Sequence, residues 1–251
     1  MQWRLIEQQT YNASMNMAID EAIYESVANG RELPTIRFYK WKNNSISLGA
    51  FQNQNEINLN ECKKNNAEVV RRITGGRAVY HDKADFTYSV VAPIKIFYNS
   101  VSTAYGEICF WIINSLKELG IKTKLENKND IMAGPRKISG NAAKLMEKGI
   151  YLQHGTLIYD IDFELMPKIL NIPKELAKEK IASILEFKKL SQEKVYESLK
   201  KNFTAGKHFN IEKISNYESV RAEDLAKARY NNIFLPAGSL VRNKGACYVE
   251  R

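Results

Sequence analysis

Between residues 102 and 119 the side chains of Tyr105, Ile108, Cys109, Ile112, Leu116 and Leu119 recur at three- and four-residue intervals, and Gly120 follows. That spacing lines one face of a helix, and a glycine at its end can take the left-handed conformation that stops it. On either side the period changes. Upstream, short β-branched and aromatic runs at 35–39, 45–48, 69–72, 78–80 and 86–92 read as strands, separated by Asn43-Asn44, Gly49 and Gly75-Gly76. Downstream, 122–125, 136–142 and 151–159 read as further strands, the last two as a hairpin around Glu147-Lys148-Gly149. A long helix between two groups of strands, without regular strand–helix alternation, predicts an α+β fold with a mixed or antiparallel sheet flanked by helices. A helix is also expected over 16–28, stopped by Gly30, and 163–203 reads as largely helical, with Val195, Leu199 and Phe203 on one stripe.

The 251 residues are 44% hydrophobic and contain only 6 Pro and 13 Gly, with no biased tract or repeat. A single domain over 1–251 is expected, with a core in 1–203 and an extension, 204–251, to which no role is assigned. The opening MQWRLIEQQT lacks the apolar stretch of a signal peptide, and the longest apolar run, near 108–113, is far short of the roughly 20 residues that cross a bilayer. A soluble, cytoplasmic protein without a membrane partner is expected. Cys62, Cys109 and Cys247 are odd in number and widely spaced, which favours reduced thiols over disulfides or a zinc site. The net charge of +9 suggests an anionic partner: nucleic acid, a phosphorylated small molecule or an acidic protein. Because the basic residues are dispersed, a solvated surface is favoured over a nucleic-acid groove.

Two stretches carry the chemistry. In RRITGGRAVYHD (71–82), paired glycines let backbone amides approach a ligand, and Arg72 and Arg77 suit phosphate oxygens, although on its own the stretch reads equally as a basic turn. It matches neither standard phosphate-binding loop. In the second, Asn129-Asp130 leads to RKISGNA (136–142), which places Lys137 between glycines on a strand where it would share a face with Ser139; QHGT (153–156) follows. A lone lysine is usually a surface group. A lysine among small residues is better explained by a ligand that needs its compact charge.

Together with the segments NMAIDEA (16–22), RFY (37–39) through Gly49, and Gln52, these stretches resemble the catalytic domain of the lipoate-protein ligase, octanoyltransferase and biotin-ligase superfamily, over roughly 16–203. The resemblance implies a class II biotin/lipoate ligase-like fold in which an acyl-adenylate lies between the Gly-Gly loop and the lysine-bearing strand. It implies that ATP activates lipoate or octanoate as the acyl-AMP, with Mg²⁺ present, and that the acyl group passes to a lysine of an apo lipoyl-carrier protein, such as an H protein or an E2 lipoyl domain. Lys137 would be catalytic. Arg72, Gly75, Gly76, Arg77, Ala78, Val79 and Tyr80 would hold the nucleotide, with His81 and Asp82 buttressing the loop. Asn129, Asp130, Ser139, Gly140, Asn141 and Ala142 would complete that site, Asp130 as a Mg²⁺ ligand. His154, Gly155 and Thr156 would line the acyl pocket, although a hydrogen-bonded strand histidine is nearly as good a reading of His154.

The branches of the superfamily differ in how the acyl group is activated. Octanoyltransferases of the type this chain approaches use a cysteine ahead of the lysine strand, and none occurs between Leu119 and Lys137. Against this, Arg77 stands where ligases commonly carry a third glycine, which looks more like the transferase branch. A Gly-Arg-Gly loop of the biotin-ligase kind is missing. The adenylating ligase is therefore favoured, with the octanoyltransferase as alternative and a non-catalytic nucleic-acid-binding protein behind both. The length leaves no room for the accessory domain that many ligases carry, so either a separate accessory polypeptide supplies that part or the chain works alone.

Overall fold

In the computed structural model, which describes residues 1–127 and 129–231, the chain opens on a strand that the sequence did not announce, β1 (Gln2–Tyr11). Asn12 accepts a hydrogen bond from the Met15 amide, satisfying a helical N–H that would otherwise be free, and so starts α1 (Ala13–Ala28) a turn earlier than expected. Then come β2 (Thr35–Trp41), β3 (Ser45–Leu48), α2 (Leu59–Lys64), β4 (Glu68–Arg71), β5 (Val79–His81) and β6 (Phe86–Pro93). The long amphipathic helix is α3 (Val101–Glu118). Ser100 caps it by accepting from the Thr103 amide, and Gly120, at φ +80°, ends it in a turn that returns the Ile121 amide to the Leu116 carbonyl.

After α3 lie β7 (Lys124–Glu126), β8 (Asp130–Ala133), β9 (Arg136–Leu145) and β10 (Ile150–Leu157). The expected β9–β10 hairpin is present, closed by Lys148 and Gly149 in the left-handed region. Residues 163–203 are not one helical stretch but four short helices: α4 (Met166–Ile169), α5 (Lys174–Lys180), α6 (Ile184–Phe187) and α7 (Gln192–Thr204). Asn171 at φ +53° and Pro173 break the first junction, and Ile181 and Lys188 turn extended at the next two. Residues beyond 203 are part of the fold: β11 (His208–Ile211), α8 (Asn216–Leu225) and a π-helical turn over Ala226–Tyr230. The stretch 232–251, with Cys247, lies outside the described residues.

An eight-stranded sheet runs in the order β11-β1-β2-β6-β10-β9-β8-β7, and a small sheet runs β4-β3-β5. β1 pairs parallel to both β2 and β11, and the neighbouring pairs from β2 to β7 are antiparallel, so the large sheet is mixed as expected. One face packs under α3 and α7 through Phe38, Tyr88, Ile108, Ile112, Leu199 and Phe203. The other packs under α1 and α8 through Ile6, Ile19, Tyr39, Leu152, Ala222 and Leu225. Each large apolar side chain removed from water in this way contributes roughly 1.5–3 kcal/mol. Two buried arginines tie the layers. Arg4 meets Glu218 of α8 through two hydrogen bonds, of 2.8 and 2.6 Å, and Arg37 of β2 meets Asp20 of α1 at 2.7 Å. No described helix is long and apolar enough to cross a membrane.

Candidate active site

The Gly-Gly loop joins the end of β4 to β5, and its shape depends on two features that deny it freedom. Gly49, just after β3, passes so close beneath that a Cβ there would lie 1.8 Å from the Gly76 carbonyl oxygen, and Gly76 itself sits at φ +93°. Arg72 is buried under the loop. Its terminal nitrogens donate to the carbonyls of Ser47 (2.6 Å), Gly75 (2.7 Å) and Arg77 (2.9 Å) and to the Ser47 hydroxyl (3.2 Å). Arg72 was expected to reach phosphate; here its terminal donors build the loop instead. Burial lowers its pKa to about 10, which leaves it cationic at neutral pH, so it sets a positive field beneath the glycines.

Across a cavity of about 1040 Å³ stands β9. A bulge interrupts its register with β8, where Ile131 faces Ser139 but Met132 faces Lys137. The extra residue undoes the simple alternation, so Lys137 and Ser139 do not work from one face. The Lys137 side chain lies over Gly140, where an added Cβ would come within 2.8 Å of its ammonium. Ser139 is fully buried and lines no part of the cavity. The Lys137 ammonium is 2.6 Å from Asp130 Oδ1, a contact of charge rather than an aligned hydrogen bond.

The strand pair β9–β10 also fixes the turn before Asp130. Asn141 sends both its backbone amide (3.1 Å) and its side-chain amide (3.0 Å) to the Asn129 carbonyl, and accepts from the Tyr88 hydroxyl at 2.8 Å. Gly155 makes this possible, because a Cβ there would sit 2.0 Å from the Asn141 side-chain oxygen.

Two histidines close the inner wall. His154 joins Asp20 (Nδ1, 3.3 Å) to the Thr74 hydroxyl (Nε2, 2.7 Å), one residue before the paired glycines. Asp20 also accepts from Arg37, Ser89 (2.8 Å) and Tyr39 (3.2 Å). Burial works against its ionisation, but the His154 hydrogen bond and the Arg37 charge outweigh burial and hold its pKa below the ordinary value. His81 stacks on Trp41 with 4.1 Å between ring centres, and its nitrogens meet Ser47 (2.8 Å) and Thr156 (3.0 Å). Burial, with Arg72 and His154 adding to it, drives its pKa well below the usual histidine range, so it is a neutral buttress of the loop.

Sixteen of the expected site positions line the one cavity: Arg72, Gly75, Gly76, Arg77, Ala78, Val79, His81, Asn129, Asp130, Lys137, Gly140, Asn141, Ala142, His154, Gly155 and Thr156. Tyr80, Asp82 and Ser139 do not. Tyr80 turns into the core of the small sheet, as alternation along β5 requires, and Asp82 accepts from the Ala84 amide (2.8 Å) to shape a turn. Met17, Tyr39, Trp41, Phe51 and Tyr105 add apolar wall and were not among the expected site residues. Neither described thiol borders this space. Cys62 packs in the small-sheet core, and Cys109 lies on the buried face of α3, its sulfur 3.6 Å from the Gln153 amide; burial pushes them up to about 11 and about 12.

The cavity combines apolar side chains with a glycine loop and a lysine on opposite sides. Among the described residues no group of three or more His, Cys, Asp or Glu side chains could hold a metal ion. One carboxylate, Asp130, suits Mg²⁺ only in the manner usual for that ion, in which phosphate oxygens and waters complete the shell.

Comparison with known proteins agrees with this geometry. The profile of the lipoyl protein ligase A/B catalytic domain matches residues 12–204. The chain is 30% identical to octanoyltransferase LipM of Brevibacillus brevis, over 91% of this chain and 96% of that protein. It superposes on a crystal structure of lipoate-protein ligase A bound with ATP at a TM-score of 0.84, with 31% identity over 95% of this chain and 99% of the other. It also matches the structure of a bi-partite archaeal lipoate protein ligase and its E2 lipoyl domain from Thermoplasma acidophilum, at a TM-score of 0.84 and 29% identity over 97% and 99% of the two chains.

Proposed function

The chain belongs to the family of lipoyl protein ligase A/B catalytic domains, and on that premise we propose that it is an ATP-dependent ligase that activates lipoate or octanoate and transfers it to a lysine of a lipoyl-carrier domain. The observation that carries this reading is the pairing of Lys137 with the Gly-Gly loop across one cavity whose described lining includes no thiol. A fatty carboxylate is a poor acyl donor. Its oxygen attacks the α-phosphorus of ATP, pyrophosphate leaves, and a mixed anhydride results. The neutral ε-amine of the carrier lysine then attacks the carbonyl, an amide forms, AMP departs and a proton is released.

The first step brings two anions together. Lys137, which meets Asp130 in the resting site, offsets that repulsion and stabilises charge that grows in the transition state. Amides of Gly75 and Gly76, fixed from below by Arg72 and Gly49, offer donors to the phosphate. Mg²⁺, where present, supplies further neutralisation of the phosphates, with Asp130 as its protein ligand. Trp41, Met17 and Val79 give the acyl chain an apolar wall. The bi-partite relative supports a second polypeptide as partner, and its E2 lipoyl domain supports that kind of carrier.

A second reading has an observation of its own: the LipM relative is an octanoyltransferase. It requires a nucleophilic thiol, and Cys62 and Cys109 are both buried away from the cavity. Incubation with apo carrier, lipoate, ATP and Mg²⁺, followed by intact-mass measurement, is expected to show a carrier heavier by one lipoyl group, with pyrophosphate released. Transfer from octanoyl-carrier without ATP, and none with ATP and free acid, would overturn the ligase reading in favour of the transferase.

A further inference from the structure

Three phenols, Tyr88, Tyr105 and Tyr151, gather where α3 packs on the large sheet. Two of them are satisfied. Tyr151 donates to Gln153 (2.7 Å), while Tyr88 accepts from Gln153 (2.9 Å) and donates to Asn141 (2.8 Å). The third is not. Tyr105 is 5% exposed and lines the cavity, yet its hydroxyl, shielded from solvent, meets no hydrogen-bond partner among the described residues. A buried polar group without a partner is costly, and a fold that retains one at a cavity wall is keeping it for something else. Four other shielded hydroxyls, of Ser26, Tyr80, Thr123 and Ser139, are also unpaired among the described residues, but none of them borders the cavity.

The surroundings say what Tyr105 would meet. Its ring feels the charges of Arg72, under the glycine loop, and of Asp130, the partner of Lys137. Burial, together with the Asp130 charge, raises its pKa further above that of an ordinary phenol, so the group stays protonated and has a hydrogen to give. A neutral donor on the wall of a cavity that a lysine and a buried arginine also line matches an oxygen that carries negative charge.

We propose that the Tyr105 hydroxyl is a substrate-contacting group that donates a hydrogen bond to an anionic oxygen of the bound substrate, either the carboxylate of the fatty acid or the phosphate of its adenylate. The assignment rests on the adenylating reading of the cavity, and it gives α3 a part in binding that its apolar periodicity conceals.

Tyr105→Phe removes the oxygen and nothing else, which separates this role from packing. With wild type and variant compared by thermal melting and calorimetry, the unliganded variant is expected to melt at or above the wild-type temperature, because an unpaired buried hydroxyl has gone. Its affinity for octanoyl-sulfamoyl-adenosine, a stable mimic of the acyl-adenylate, is expected to fall about tenfold or more, and pyrophosphate release to slow with it. Octanoate alone and ATP alone, titrated separately, show which oxygen is involved, since only the ligand that uses the hydroxyl loses affinity. Equal affinity of the two proteins for all three ligands overturns the proposal. So does an unliganded variant that melts several degrees lower, for the hydroxyl would then be structural. If wild type transfers octanoate without ATP and binds neither ATP nor the mimic, the adenylating reading fails instead, and the octanoate titration alone decides Tyr105.

Discussion

Lys137 Nζ and Asp130 Oδ1 lie 2.6 Å apart across the bulge between β8 and β9. The pair links the group expected to stabilise the reaction to a carboxylate on the neighbouring strand, and both remain partly open to the cavity. Lys137→Ala is expected to cut adenylation by at least about a hundredfold while shifting the melting temperature little, because partly exposed ion pairs contribute little stability. Asp130→Asn leaves the ammonium charged but unanchored, with an expected loss of about tenfold. Pyrophosphate release measured for both variants checks the order. Equal losses would mean that the carboxylate carries as much of the chemistry as the lysine.

Asp20 lies at the centre of a buried set that includes Arg37, Tyr39, Ser89 and His154, with Thr74 beyond the histidine. Asp20→Asn leaves Arg37 a buried cation without its counter-charge, a change that costs about 3–5 kcal/mol. Urea unfolding should show the full loss. His154→Gln keeps Asp20 with Arg37 and should cost less stability, yet weaken adenylate binding through Thr74 and the glycine loop. A His154 variant that binds the acyl-adenylate mimic as wild type does would show that the histidine does not position the loop.

His81 gives the fold a pH dependence of known sign. Its pKa is depressed in the folded state, so below about 6.5, the ordinary histidine value, the unfolded chain takes up a proton that the native ring refuses. Stability from this group is complete above that pH and falls by up to about 1.4 kcal/mol per pH unit beneath it. Asp85, raised by burial, titrates with the opposite sign, so the informative quantity is a difference. His81→Gln should flatten the curve of unfolding free energy against pH between 6.5 and 5 relative to wild type. Parallel curves would contradict a neutral, buried ring.

Gly49 carries no polar side chain and does not border the cavity, yet it bears on the loop above it. Gly49→Ala brings a methyl group to 1.8 Å from the Gly76 oxygen, and the backbone must part. A loss of roughly 1–3 kcal/mol is expected, as for overpacked cores, together with a larger fall in ATP affinity than in stability. Gly30→Ala, which meets nothing within 4 Å and sits at φ +66° far from the site, is the control for generic glycine strain.

What the sequence revealed, and what it withheld, divides along physical lines. α3 was legible because its core-facing residues repeat at helical spacing over five turns, and the two glycine-bearing stretches were legible because their chemistry is concentrated in consecutive residues. β1 was not, since Arg4 and Glu7 interrupt its alternation and the partner that neutralises Arg4 lies on α8. The breaks within 163–203 depend on Asn171 and on extended Ile181 and Lys188, single residues inside otherwise helical composition. Arg72 was assigned to phosphate because a sequence shows that an arginine is near a loop, not which way its donors turn. Tyr80, Asp82 and Ser139 share the motifs of their neighbours but fall on the wrong side of a strand, a turn and a bulge. Asp20 and Thr74 lie far from each other in the chain and meet only through His154.

The sheet order also sets a timetable. β1 leaves the ribosome long before β11, the strand that flanks it in the sheet. Until residue 211 has been made, the outer edge of β1 presents unpaired amides and carbonyls, and Arg4 waits for a glutamate not yet translated. Nascent chains stalled at residue 203 should therefore be cut rapidly by protease within β1, and chains stalled well beyond 230 should resist, making synthesis of the C-terminal segment the event that seals the N-terminal one.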